Sequence, residues 1–172
     1  TGALLSISYI VLRTIEGISR PAMTAYFPTK NGETAMLDLG ANIECDSKNL
    51  VDFAFMGSAF SRIILKSKNP TVGLLNVGAE AQKGNSVLQE AALHLSNASN
   101  EVNYFGFVEG NDIAEGNVDV IVTDGFSGNV ALKTAEGTAK LVTYLLEKSF
   151  KSSIFSKIGY LFSKNGLKKM KN

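Results

Sequence analysis

The 172-residue chain has one cysteine, Cys45, and one histidine, His94. A single cysteine excludes an internal disulfide framework and any cysteine-only zinc site. A single histidine excludes a multi-histidine metal centre made within the chain. Both counts fit an intracellular protein, and neither a metal nor a cofactor is expected. Charge is scarce as well: 19% of residues are charged, against roughly 25% in an average soluble domain. So few charges imply a surface covered in an oligomer or by further polypeptide. The chain begins Thr1-Gly2-Ala3, without methionine, and stops after Lys168-Lys169-Met170-Lys171-Asn172. A fragment of a longer protein is therefore expected. No apolar run reaches the ~18 residues that a membrane span needs.

What is present suffices for a core: 45% of the residues are hydrophobic. Net charge is +1 but lopsided. From Lys148 onward there are seven lysines and no acidic residue, and all sixteen acidic residues lie before them. Apolar patterning predicts helices over 3–15, 48–66, 85–96 and 129–149, the first with Thr1 as a candidate N-cap. Asp46 or Ser47 would cap the second helix, whose apolar residues encircle it and predict burial on more than one side. Strands are predicted over 22–28, 34–39, 71–77, 102–107 and 118–123. Lys30-Asn31-Gly32 would join the first two as a hairpin. Alternating helices and strands, several of them apolar throughout, argue for an α/β fold: three α/β/α layers around a largely parallel sheet. Residues 1–137 would form that core and residues 138–172 a basic amphipathic segment.

Three predicted strands run into glycine and short polar residues: Asp38-Leu39-Gly40-Ala41-Asn42, Asn76-Val77-Gly78 and Asp124-Gly125-Phe126-Ser127-Gly128-Asn129. In open parallel sheets, ligands sit beyond the carboxyl ends of the strands. Helix N-termini there favour anions, so the expected ligand is anionic, with phosphate the simplest choice. Neither a GxGxxG fingerprint nor a phosphate-binding P-loop is present. Candidate substrate-binding residues are Asp38, Gly40, Asn42, Asn76, Gly78, Gly84 and Gly125. Lys83, Asn85 and Asn129 are candidate donors to an oxyanion. Asp124 either holds a catalytic group or caps the following helix. His94 reads as a surface or half-buried helix residue. Glu44 and Asp46 beside Cys45 would raise its pKa, against a reactive thiolate.

In the tail, Ile154, Phe155, Ile158, Leu161 and Phe162 fall on one helical face, with Lys151, Lys157 and Lys164 elsewhere. Phe155, Ile158, Leu161 and Phe162 would contact a membrane interface. Packing on a dimer mate, or on further chain, is the other reading. Nucleic acid is not expected, because the segment has no arginine and the main body is acidic.

Several blocks, in order, resemble the phosphate acyltransferases of bacterial phospholipid synthesis. They include Gly17-Ile18-Ser19-Arg20-Pro21-Ala22, Leu37-Asp38-Leu39-Gly40-Ala41-Asn42, Phe55-Met56-Gly57-Ser58, Lys83-Gly84-Asn85 and the run from Val118 to Thr134. The resemblance implies a fold like that of phosphotransacetylases and isopropylmalate-type dehydrogenases, with a C-terminal helical hairpin. It implies acyl transfer from acyl carrier protein to inorganic phosphate, a homodimer, and a cytoplasmic protein held peripherally at the inner face of the membrane. It also implies that family segments before Thr1 and after Asn172 are missing. A phosphotransacetylase-like enzyme using acyl-CoA and a non-catalytic acyl- or lipid-binding protein remain alternatives. A nicotinamide dehydrogenase ranks last.

Overall fold

A computed structural model describes residues 2–169. The chain forms two compact units, the first ending at Ala131 and the second starting at Leu132. The predicted cap Thr1 lies outside the described residues.

The first unit opens with helix α1 (Gly2–Leu12), which stops where Arg13 turns to a left-handed φ of 61°. Its residues Ile7, Ile10, Val11 and Leu12 are exposed, Ile10 and Leu12 by 75% and 77%. Strands β1 (Thr24–Thr29) and β2 (Gly32–Leu37) form the predicted antiparallel hairpin. Helix α2 (Ser47–Ile64) follows, capped by Asp46 in a reciprocal box with Asn49. Strand β3 (Thr71–Leu75), helix α3 (Ser86–Asn97), strand β4 (Asn103–Val108), a 3-10 turn at Asp112–Ala114 and strand β5 (Val120–Val122) complete the alternation. Helix α4 (Gly125–Lys151) begins in this unit.

The strands form one sheet in the order β1-β2-β5-β3-β4, parallel except for β1. The fold is thus α/β with a largely parallel sheet. Ala35, Leu37, Val72, Leu74, Val120 and Val122 point one way, into a core shared with Leu50, Phe53 and Ala54 of α2 and Ala91 and Leu95 of α3. Met36, Ile121 and Val108, of the opposite parity, are also buried, so the central strands are apolar on both faces. Helix α2 buries one stripe, Leu50, Phe53, Ala54, Gly57, Ser58 and Ser61. Burial on more than one side is not met at its end, where Ile63 and Ile64 are 73% and 52% exposed. Phe60 is half-buried and stacks on Tyr26 of the edge strand, with centroids 5.5 Å apart.

Several boundaries differ from the sequence reading: α1 ends at Leu12 rather than residue 15, β3 at Leu75 rather than residue 77, and β5 covers Val120–Val122 rather than 118–123; two more bear on the site. Strand β2 ends at Leu37 rather than residue 39, because the Asp38 carboxylate gathers the following backbone amides. Helix α4 starts at Gly125 rather than about residue 129, because Asp124 caps it.

In the second unit, α4 runs to Lys151 and α5 covers Ile154–Lys169. Ser153 starts α5, its hydroxyl accepting the Ser156 amide at 3.0 Å. Phe150 and Tyr160 meet across the break, with centroids 5.3 Å apart. No described helix is long and apolar enough to cross a membrane.

Candidate functional site

The carboxyl ends of β2, β5 and β3 are level: Leu37 pairs with Val122, and Val122 with Leu74. Two polar clusters flank the end of β5. At the usual strand spacing they stand about 10 Å apart.

The first cluster joins the loop after β2 to the start of α4. Asp38 is fully buried. Its Oδ1 accepts the Met23 and Ala41 amides at 2.9 and 3.1 Å. Its Oδ2 accepts the Asn42 amide at 2.6 Å and Asn42 Nδ2 at 2.8 Å. Both oxygens therefore serve the loop itself. Asn42 Nδ2 also donates to the Pro21 carbonyl at 2.8 Å, and the Leu39 amide to the Met23 carbonyl at 3.0 Å. Segment 21–23 is thus stitched to loop 38–42.

The start of α4 is pressed against the same loop. The Gly125 amide donates to the Asn42 carbonyl at 2.7 Å. A Cβ on Gly125 would lie 2.5 Å from that carbonyl oxygen, and one on Gly128 would overlap the Asp38 carbonyl. Gly40 has a φ of +119°, and a Cβ there would sit 2.7 Å from Asn129 Nδ2. That nitrogen donates to the Leu39 carbonyl at 3.1 Å. Asp124 takes the capping role: it accepts the Ser127 amide at 2.7 Å and the Ser127 hydroxyl at 2.9 Å. Asp38, Gly40, Asn42, Asp124, Gly125 and Asn129 thus meet in one joint.

The second cluster lies beyond β3. Asn76 is buried; its Nδ2 donates to the Lys83 carbonyl at 3.1 Å and its Oδ1 accepts the Val77 amide at 2.8 Å. Gly84, with φ +86°, leaves room for the Asn76 side chain, which a Cβ would approach to 2.5 Å. Asn85 caps α3 through the Leu88 amide at 2.9 Å. Gly78 backs onto the Glu80 carboxylate and the Lys83 stem. Lys83 is exposed, and among the described residues no carboxylate lies within 4 Å of its Nζ. The cluster thus offers a capped helix N-terminus preceded by an exposed lysine that makes no ion pair among the described residues, a combination suited to an anion.

Sequence reading gave no role to a third group that buttresses the first cluster. Asp52 Oδ2 accepts the Ser19 amide at 2.9 Å and the Ser19 hydroxyl at 2.7 Å. Lys48 Nζ lies 2.9 Å from the same oxygen. Burial alone would raise the Asp52 pKa; the Ser19 amide, Lys48 and the Ser19 hydroxyl outweigh it and hold the carboxyl below its ordinary value. Ser19 and Asp52 are 33 positions apart, so no local motif signals the pair.

Cys45 is half-buried, and its thiol is pushed up to about 11. The direction is as expected, but the cause differs. Burial contributes most; the acids that add to it are Asp38 and Asp124, not Glu44 and Asp46, and the Gly125 amide and Arg20 oppose them. His94 is exposed on α3, 3.9 Å from Glu90. Among the described residues no group of three or more His, Cys, Asp and Glu side chains comes together as a metal site would require. In the second unit, Phe155, Leu161 and Phe162 are 86%, 69% and 86% exposed, and Ile158 is about half exposed.

Level strand ends with helix N-termini over them define an α/β protein of the phosphotransacetylase fold. The EutD phosphotransacetylase from Staphylococcus aureus matches with a TM-score of 0.62 at 19% identity, over 77% of this chain and 46% of that one. A phosphotransacetylase from Streptococcus pyogenes matches with a TM-score of 0.60 at 18% identity, over 74% and 44%. The chain belongs to the family described as fatty acid synthesis protein, whose family model matches residues 1–172. It is 57% identical to a phosphate acyltransferase from Rhodospirillum centenum over 99% of its length and 48% of the relative's. It is 50% identical to one from Caulobacter vibrioides, over 100% and 48%. The chain thus spans about half the length of the curated relatives it matches.

Proposed function

We propose that the full-length protein transfers a fatty acyl group from the thioester of acyl carrier protein to inorganic phosphate. A phosphate oxygen attacks the carbonyl carbon, the C–S bond breaks, and the carrier's thiol leaves with a proton as acyl phosphate forms. The observation that carries this reading is the meeting of two capped helix N-termini at three level strand ends, with Lys83 beside one of them. Identity of 49–57% to proteins named phosphate acyltransferase supports it. Lys83 and the α3 N-terminus stabilise the tetrahedral oxyanion. Asp38, Asn42, Gly125 and Asn129 shape the pocket wall, and Asp124 starts the helix that points at it. No residue needs to be acylated, since phosphate itself is the nucleophile. The solved phosphotransacetylases share the fold, which keeps acyl-CoA as the second donor to test.

The second unit makes peripheral contact with the cytoplasmic face of the membrane through the exposed face of Phe155, Ile158, Leu161 and Phe162, with lysines facing anionic headgroups. The scarcity of surface charge and the bare α1 fit a homodimer of the full-length protein.

The test is release of free carrier thiol from long-chain acyl carrier protein, with and without phosphate, by the full-length gene product. Phosphate-dependent release from the carrier but not from acyl-CoA is the expected result. Release from acyl-CoA alone favours the phosphotransacetylase-like reading. Acyl binding without release from either donor reduces the protein to a binding module.

A further inference from the structure

The first cluster has a charge problem. The carboxylates that shape it, Asp38 and Asp124, are both negative, and Lys83 belongs to the cluster on the far side of β5. A phosphate bound over the start of α4 needs a cation nearer than that. Arg20 is the candidate. Its guanidinium donates through Nη1 to the Glu44 carbonyl at 3.3 Å, next to Cys45, where its positive charge opposes those of Asp38 and Asp124. Among the described residues no carboxylate lies within 4 Å of it, whereas the neighbouring Lys48 is paired with Asp52. A single long bond to a carbonyl leaves most of the guanidinium's five N–H donors unengaged.

The backbone around Arg20 is fixed on both sides. Ser19 is tied to Asp52 twice and accepts Asn49 Nδ2 at 2.9 Å; Lys48 Nζ also donates to the Gly17 carbonyl at 3.1 Å. On the other side, the Pro21 carbonyl holds Asn42 and the Met23 amide holds Asp38. An exposed loop arginine with no task would not require a nearly buried aspartate to hold its neighbour. We infer that Arg20 binds the anionic substrate at the β2–β5 cluster, and that Ser19 and Asp52 are its positioning residues. The inference rests on the acyl-transfer reading for the identity of the anion, but not for its charge. A planar fork fits the oxygens of phosphate better than an ammonium does.

The test uses the full-length protein with inorganic phosphate as probe. Thiol release from acyl carrier protein is followed against phosphate concentration, and the phosphate-induced rise in melting temperature is recorded separately. Arg20→Gln is expected to raise the phosphate KM about tenfold or more, with kcat at saturating phosphate little changed, and to abolish the thermal shift. Arg20→Lys should raise KM several-fold; Ser19→Ala should do the same although Arg20 is intact. An unchanged KM and thermal shift in Arg20→Gln overturns the inference and leaves acyl transfer standing, with Arg20 assigned to a carboxylate elsewhere in the protein. If Arg20→Gln does not fold, an unchanged KM in Arg20→Lys overturns it equally. If the wild type releases no thiol but phosphate still raises its melting temperature through Arg20, acyl transfer falls and the anion site stands. A wild type indifferent to phosphate in both measurements overturns both.

Discussion

Replacing Asp38 by asparagine separates two roles that the same residue could have. In the structure its two oxygens accept four N–H groups, two each, and all four belong to the loop or to the segment stitched to it. An asparagine keeps the shape but turns one oxygen into an NH2 group. Whichever side that group takes, two donors lose their acceptor and face another donor. Hydrogen bonds to a charged group contribute about 1.5–3 kcal/mol each, so losing two costs about 3–6 kcal/mol. Asp38 is fully buried, and water cannot replace the lost acceptor. That loss is comparable with the 5–15 kcal/mol total stability of a typical protein. At an ordinary urea slope it lowers the unfolding midpoint by about 1–3 M. The measurement is urea unfolding of full-length wild type and Asp38→Asn, with thiol release assayed well below both midpoints. A variant that unfolds at the wild-type midpoint yet is inactive would refute the reasoning, because Asp38 would then act on substrate rather than hold the loop.

Lys83→Ala should lower turnover about 10²- to 10³-fold, as the loss of one oxyanion donor does, while moving the unfolding midpoint little, because the side chain is exposed. Wild-type-like turnover would remove Lys83 from the mechanism. Gly125→Ala should destabilise by about 1–3 kcal/mol, read as a lower melting temperature. The obstacle is the Asn42 carbonyl, which is backbone and cannot swing away, so the gain in helix propensity at a first-turn position does not offset it. Cys45 should resist alkylation at pH 8. With its pKa pushed up to about 11, the thiolate is on the order of one molecule in a thousand there. Its iodoacetamide rate should climb with pH until about 11, and a plateau near pH 9 would contradict the buried environment.

The features legible in the sequence were those with a local cause. Val72, Leu74 and Val120–Val122 stand in unbroken apolar runs, and those runs became strands buried on both faces. Asp46 and Asp124 were readable as caps because a cap bonds an amide three residues away. The hairpin at Lys30-Asn31-Gly32 was readable from its turn residues. The joint between the loop after β2 and the start of α4 was only half readable. Its glycines and asparagines were visible, but nothing local says that Gly128 lies against the Asp38 carbonyl or Asn129 under Gly40. The Ser19–Asp52 anchor was invisible for the same reason. The cause of the Cys45 shift was misassigned because sequence neighbours were taken for spatial ones.

The position of β5 has a consequence for how the protein is made. Among the described strands β5 comes last in the chain, yet it lies in the middle of their sheet, bonded to β2 on one side and β3 on the other. Until Val120 has left the ribosome, the β1–β2 hairpin and the β3–β4 pair share no hydrogen bonds. Each then carries an unpaired edge, Ala35–Leu37 and Val72–Leu74, both entirely apolar or glycine. At about 5–20 residues per second the earlier edge waits on the order of ten seconds for its partner. Open apolar edges are where nascent chains aggregate or recruit chaperones. Ribosome-stalled chains ending before Val120 should therefore be cut readily by protease around both edges, and chains with β5 fully emerged should not. Three residues, Val120-Ile121-Val122, close the sheet, and a codon change that slows their arrival lengthens the vulnerable interval without altering the folded protein.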